Sequence, residues 1–112
     1  MERFRIGNDI MVTWAVKKNG KNADFTGKSF KVYLTNAKGR EEYKDNVTLN
    51  GNVISFVYDG LKQKVLGRYT ITIDIRNENG SRYLIQDKCG AFILVGRSCE
   101  ERQDDEQYEV NL

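Results

Sequence analysis

The sequence predicts an all-β fold, an antiparallel β-sandwich of about seven strands. Three observations carry the prediction. Between Gly67 and Arg76, Tyr69, Ile71, Ile73 and Ile75 fall on one parity and Arg68, Thr70, Thr72, Asp74 and Arg76 on the other. Side chains of a strand repeat every second residue, so this segment has one apolar and one wet face. Asn-Gly pairs at 19–20, 50–51 and 79–80 punctuate the chain, and Asn-Gly accepts the positive φ values that tight hairpins require. Finally, no segment sustains a helical period.

Taken in order, residues 10–16 alternate Ile10, Val12, Trp14 and Val16 with smaller or more polar neighbours. This is a first strand, and Trp14 on its apolar parity is expected in the core rather than exposed as a sugar-stacking platform. Residues 17–22, Lys-Lys-Asn-Gly-Lys-Asn, form a turn, and a polar connection leads to Gly27. Phe30, Val32 and Leu34 alternate with Lys31, Tyr33 and Thr35 in a second strand, closed by Asn36-Ala37-Lys38-Gly39. Gly39 suits the left-handed position of a bulged turn. Residues 41–49 are polar enough for an edge strand or partial loop. The strongest hairpin signal is Asn50-Gly51 before the run Val53–Tyr58. Asp59-Gly60 ends that strand, and residues 61–66 cross over as a loop or a single helical turn. The Gly67–Arg76 strand follows, and then two further strands, 81–86 and 90–95. These elements place the sandwich at 1–96. Residues 97–112 read as an acidic C-terminal tail or linker, in which Tyr108, Val110 and Leu112 alternate and suit addition to a neighbour's exposed edge.

At 112 residues the chain is one domain, long enough to bury roughly two-thirds of its unfolded surface in a single core. Hydrophobic residues make up 39% and charged residues 30%, which argues against disorder, and no apolar run approaches the ~20 residues of a membrane helix. The N-terminus lacks the apolar segment of a secretory signal, so synthesis in the cytoplasm without a signal peptide is expected. Residues 1–99 hold 17 Lys/Arg and 10 Asp/Glu, a net +7, whereas 100–112 hold one Arg and six acids, a net −5. The basic residues occur singly among the strands, as solvated faces and guarded edges require. Cys89 and Cys99 lie ten positions apart. A straight strand between them would span about 30 Å, so free thiols are expected.

The absence of histidine removes Ser-His-Asp and Cys-His nucleophilic sites and His-based zinc sites. Catalysis would need a carboxylate pair, and Asp45 with Asp59 or Asp74 with Asp87 read as solvated charges. Asp74 to Gly80 resembles a calcium loop only faintly, because Arg76 stands at the third position and Ile85 at the twelfth. Asn46-Val47-Thr48 and Asn79-Gly80-Ser81 match the glycosylation triplet by chance. Tyr33, Tyr43, Tyr58, Tyr69 and Tyr83 lie among basic residues, but Tyr69 shares the parity of the isoleucines, and Tyr33 and Tyr58, even if exposed, are too few for a nucleic-acid platform. The sequence therefore predicts a non-enzymatic chain with no catalytic, cofactor-binding or metal-binding residue and leaves the binding surface unlocated.

Gly67-Arg68-Tyr69 at the head of a strand resembles the tyrosine corner of immunoglobulin-like sandwiches. Together with residues 6–10, Trp14, residues 27–34 and residues 52–56, it resembles the immunoglobulin-like domain at the N-terminus of phage and prophage tail or baseplate proteins, particularly those of Bacteroides-type bacteria. The resemblance covers nearly all of residues 4–96. It implies a virion-associated structural module that binds other protein subunits or copies of itself by surface complementarity and edge pairing, with no nucleic acid, membrane or cofactor. The alternative is a carbohydrate-binding or adhesin-like module of a bacterial surface protein, which calls for Trp14 or Tyr33 facing solvent.

Overall fold

The computed structural model describes residues 1–96 and 107–112. It is all-β, with a single short 3₁₀ turn, Gly60–Lys62, among the described residues. The strands are β1 (Arg3–Arg5), β2 (Ile10–Ala15), β3 (Lys17–Lys18), β4 (Lys21–Asn22), β5 (Ser29–Asn36), β6 (Gly39–Tyr43), β7 (Thr48–Asn50), β8 (Val53–Tyr58), β9 (Gly67–Arg76), β10 (Arg82–Val95) and β11 (Tyr108–Asn111). One sheet has the order β1-β10-β9-β5-β6, a second the order β11-β2-β8-β7, and β3 and β4 make a small hairpin.

The two main sheets meet through the side chains that their alternation turns inward. Tyr58 of β8 contacts the Tyr69 ring of β9 at 5.8 Å, Tyr43 of β6 meets Phe56 of β8 at 5.1 Å, and Phe4 of β1 stacks on Tyr108 of β11 at 4.7 Å. Each of these pairs joins one sheet to the other. Trp14, Tyr69, Phe92 and the isoleucines at 10, 54, 71, 73 and 75 are fully buried between them. Each such side chain contributes about 1.5–3 kcal/mol on burial. Trp14 and Tyr69 are thus in the core, as their parity demands.

The turns follow the glycines. Asn19 (φ 53°) and Gly20 (φ 78°) close the β3–β4 hairpin, both left-handed as a type I′ turn requires. In the β7–β8 hairpin Asn50 pairs with Val53, so the loop is Gly51-Asn52, one residue later than Asn50-Gly51, with Gly51 at φ 65°.

Five features depart from the sequence reading. The sheets are mixed rather than antiparallel, because β1 runs parallel to β10 and β11 parallel to β2. Neither strand is tied to its partner by a hairpin, so nothing forces an antiparallel course. β1 itself was not expected: Arg-Phe-Arg is too short to show a period, yet Phe4 is buried. Residues 41–49 are not one strand. β6 ends at Tyr43, Asn46 takes a left-handed φ of 54°, and β7 joins the other sheet.

The expected strands 81–86 and 90–95 are one strand, β10. Its pairing with β9 jumps from Lys88↔Ile71 to Phe92↔Tyr69, and Gly90 (φ 64°) lies in the resulting bulge. Two additional residues keep even-numbered side chains on the core side, so alternation is masked rather than lost. Finally, Tyr108–Asn111, read as part of the acidic tail, add a strand to this chain's own β2, with Val110 buried. The two-sheet body therefore extends past residue 96.

No helix among the described residues is long and apolar enough to cross a membrane. Cys89 is free and exposed; Cys99 and the acidic run at 100–106 lie outside the described residues.

Candidate functional site

The connection from β8 to β9 carries the chain from one sheet to the other, and hydrogen bonds hold it at residues 59–63 and at Val65 O. Asp59 caps the 3₁₀ turn, its carboxylate accepting from the Leu61 N–H at 2.9 Å. The Gly60 N–H donates to Asp9 Oδ1 at 2.8 Å. Gly60 lies so close to the segment before β2 that an added Cβ would stand 2.1 Å from the Gly7 carbonyl oxygen. Only glycine permits this approach.

Gln63 is 5% exposed, and both ends of its amide are used. Its Oε1 accepts from the Gly7 N–H at 2.8 Å, and its Nε2 donates to Asn8 O at 2.8 Å and Tyr58 O at 3.3 Å. At the far end the Tyr69 hydroxyl donates to Val65 O at 2.7 Å. This is the bond a tyrosine corner makes, from a phenol at the start of a strand to backbone a few residues upstream.

This loop presents outward two leucines interleaved with Lys62 and Lys64. Leu61 is 84% exposed and Leu66 50% exposed. Lys62 of the same loop borders a cleft of 240 Å³ lined also by Tyr43, Tyr58, Glu41, Glu42 and Asp45. Tyr43 donates to Val57 O at 2.6 Å and receives the Asp59 N–H at 3.3 Å. Burial raises the pKa of both phenols, and the neighbouring Tyr69 hydroxyl adds to the effect at Tyr58. These phenols are neutral structural donors. The cleft is smaller than the ~300–1,000 Å³ of ordinary small-molecule sites.

The sequence-derived candidates are dispersed. Asp45 forms an ion pair with Lys62, and Asp59 is occupied in capping, so this carboxylate pair is structural although both residues line one groove. Asp87 accepts from the Thr72 hydroxyl, while Asp74 Oδ2 accepts from Arg76 at 3.1 Å. The expectation that Asp74 is solvated fails: it is 6% exposed, as is Thr72. Tyr58, for which the sequence allowed exposure, is 8% exposed and part of the core. Tyr33 is half-buried, with the Arg40 guanidinium 3.7 Å from its ring centroid. Tyr83 carries Lys18 and Lys28 at 3.8 and 4.3 Å. Trp14, at 2% exposure, offers no platform to a sugar. Among the described residues no cluster of His, Cys, Asp or Glu could hold a metal ion.

Sequence reasoning found the crossover and Tyr69 but not Gln63 or the contact of Gly60 with Gly7. A glutamine inside a Lys-rich loop carries no local signal, and the only hint at Gly60 is its place directly after Asp59. Neither protein-family models, nor characterised proteins, nor solved structures give a match to this chain.

Proposed function

We propose that the chain is an immunoglobulin-like structural module that docks onto protein neighbours through the β8–β9 crossover, most in keeping with a phage or prophage tail or baseplate assembly. Strand order supports the immunoglobulin-like reading. β2, β8 and β7 stand in the order B-E-D, with β11 in the outer position of strand A; β10, β9, β5 and β6 stand in the order G-F-C-C′, with β1 added outside G. The corner bond from Tyr69 then falls on strand F, where that fold places it.

The docking reading rests on one observation: a turn whose Gly60, Leu61, Lys62 and Gln63 amides are all hydrogen-bonded holds Leu61 out into solvent. A side chain presented on a pre-ordered backbone loses little further entropy on binding. The tail assignment rests on the resemblance of residues 4–96 and has its own test. Particles released by prophage induction from the source strain, purified and digested, are expected to yield peptides of this chain at a fixed ratio to the tail proteins. Their absence from purified particles overturns the tail assignment. For the contact itself, light scattering across protein concentration is expected to show a discrete oligomer that Leu61→Ser with Leu66→Ser dissolves. An oligomer indifferent to both substitutions places the contact elsewhere.

A further inference from the structure

The outer face of the five-stranded sheet holds a second site, independent of the crossover. Its centre is Asp74. The registers Lys31↔Asp74 and Ile85↔Asp74 put Lys31 on one side and Ile85 on the other, and the next pair on β5 and β9 is Tyr33↔Thr72. Asp74 is 6% exposed. Its Oδ2 accepts from Arg76, but Oδ1 is buried without any hydrogen-bond partner. An unmatched buried carboxylate oxygen costs several times what a satisfied one contributes. The bond this atom lacks is one that solvent or a ligand hydroxyl can supply.

Asp74 lines an open groove of 330 Å³ together with Ser29, Lys31, Tyr33, Arg76 and Glu78. That volume is within the small-molecule range. The charges cancel, two acids against two bases, so the groove does not select an ion. It offers a carboxylate acceptor, a hydroxyl, cationic donors and the half-buried Tyr33, one face of whose ring carries the Arg40 guanidinium, within one concavity. Alternating donors and acceptors beside an aromatic ring match a polyhydroxylated, uncharged ligand, whose hydroxyls both donate and accept and whose C–H faces pack on aromatic carbon.

We infer that the groove at Asp74 is a saccharide-binding site, in which a ring hydroxyl donates to Asp74 Oδ1 and a neighbouring hydroxyl accepts from Arg76 or Lys31. Lys31 now lies 3.7 Å from Glu42 and is 63% exposed, so it is free to turn toward a ligand.

The test is a two-dimensional amide NMR titration of the whole chain with the methyl glycosides of glucose, galactose, mannose and N-acetylglucosamine, and separately with methylammonium. Saturable shifts confined to residues 29–33 and 74–80 are expected for at least one glycoside. Asp74→Asn and Tyr33→Leu are each expected to weaken it about tenfold or more, the loss of one hydrogen bond to a charged group or of one packed ring. Lys38→Ala, in the exposed β5–β6 turn and outside the groove lining, leaves it unchanged. Should Asp74→Asn fail to fold by circular dichroism, Tyr33→Leu and Lys31→Ala carry the comparison. Shifts that do not saturate with any glycoside, or that persist in the groove variants, overturn the inference. Saturation by methylammonium alone overturns the saccharide assignment and makes Asp74 the seat of a cation.

Discussion

Gly60→Ala tests whether the crossover is as rigid as its bonds imply. The added methyl would stand 2.1 Å from the Gly7 oxygen, 2.5 Å from the Gly7 carbonyl carbon and 3.0 Å from the Asn8 nitrogen. Comfortable contacts lie near 3.5–4.0 Å, so the two segments must part by about an ångström or more. They cannot part freely, since Gln63 bridges to both Gly7 and Asn8, and the Gly60 N–H is fixed on Asp9. Overpacking costs about 1–3 kcal/mol, and each weakened hydrogen bond adds about 0.5–1.5 kcal/mol. The expected loss is about 3 kcal/mol, which for a domain of this size lowers Tm by roughly 10–25 °C. Urea denaturation followed by the fluorescence of buried Trp14 reads this directly, with an m-value that does not change. Leu61→Ser, one residue away but projecting into solvent, is expected within about 0.5 kcal/mol of the parent. If Gly60→Ala falls within that same margin, the loop yields at little cost and the pre-ordered crossover is refuted.

Three further outcomes follow from the same geometry. Tyr69→Phe leaves Val65 O without its donor and removes the hydroxyl beside Tyr58, so chemical denaturation is expected to show a loss of about 1–2 kcal/mol. Stability falls as pH rises above the ordinary phenol value of 10.0, because Tyr43 and Tyr58 hold their protons in the folded state after the unfolded chain has released them. Thermal unfolding followed across alkaline pH measures that slope, and Tyr58→Phe flattens it. Removing residues 107–112 strips β11 from β2 and uncovers Ile10, Val12 and Phe4, with an expected cost of about 2–4 kcal/mol in the same denaturation assay. A truncated chain of unaltered stability would show that β11 adds nothing to the core.

The parts of the fold legible in the sequence are those where one strand face meets the core along its whole length. β2, β5, β8 and β9 alternate visibly because Trp14, Val32, Phe56 and Ile73 each oppose the other sheet. β10 hides its parity for two reasons. Its bulge inserts residues between Lys88 and Phe92, and its first half meets the β3–β4 hairpin as well as the end of β2. There Gln86 donates to Lys17 O at 2.5 Å and Lys88 lies 5.9 Å from the Trp14 ring, so polar side chains occupy inward positions. Asp74 misled in the opposite direction. Its parity is outward, as read, but neighbouring strands on both sides of β9 cover it. Parity distinguishes the two faces of a strand, but not an edge strand from a central one.

The free edges also bear on how the module would contact others. β1 and β11 lie on one flank, where Phe4 and Tyr108 stack across the sheets, and β6 and β7 are the edges of the opposite flank. That flank is guarded. β7 is only three residues long, and on β6 Arg40 covers Tyr33 while Glu42 pairs with Lys31 and Lys44 at 3.7 and 3.4 Å. Short strands and charged side chains are the usual defences against pairing between sheet edges. Edge pairing, the contact suggested by strand alternation alone, is therefore less favoured than docking at the crossover. There the amides of residues 60–63 are already satisfied, and Leu61 and Leu66, exposed among Lys62 and Lys64, gain by leaving water.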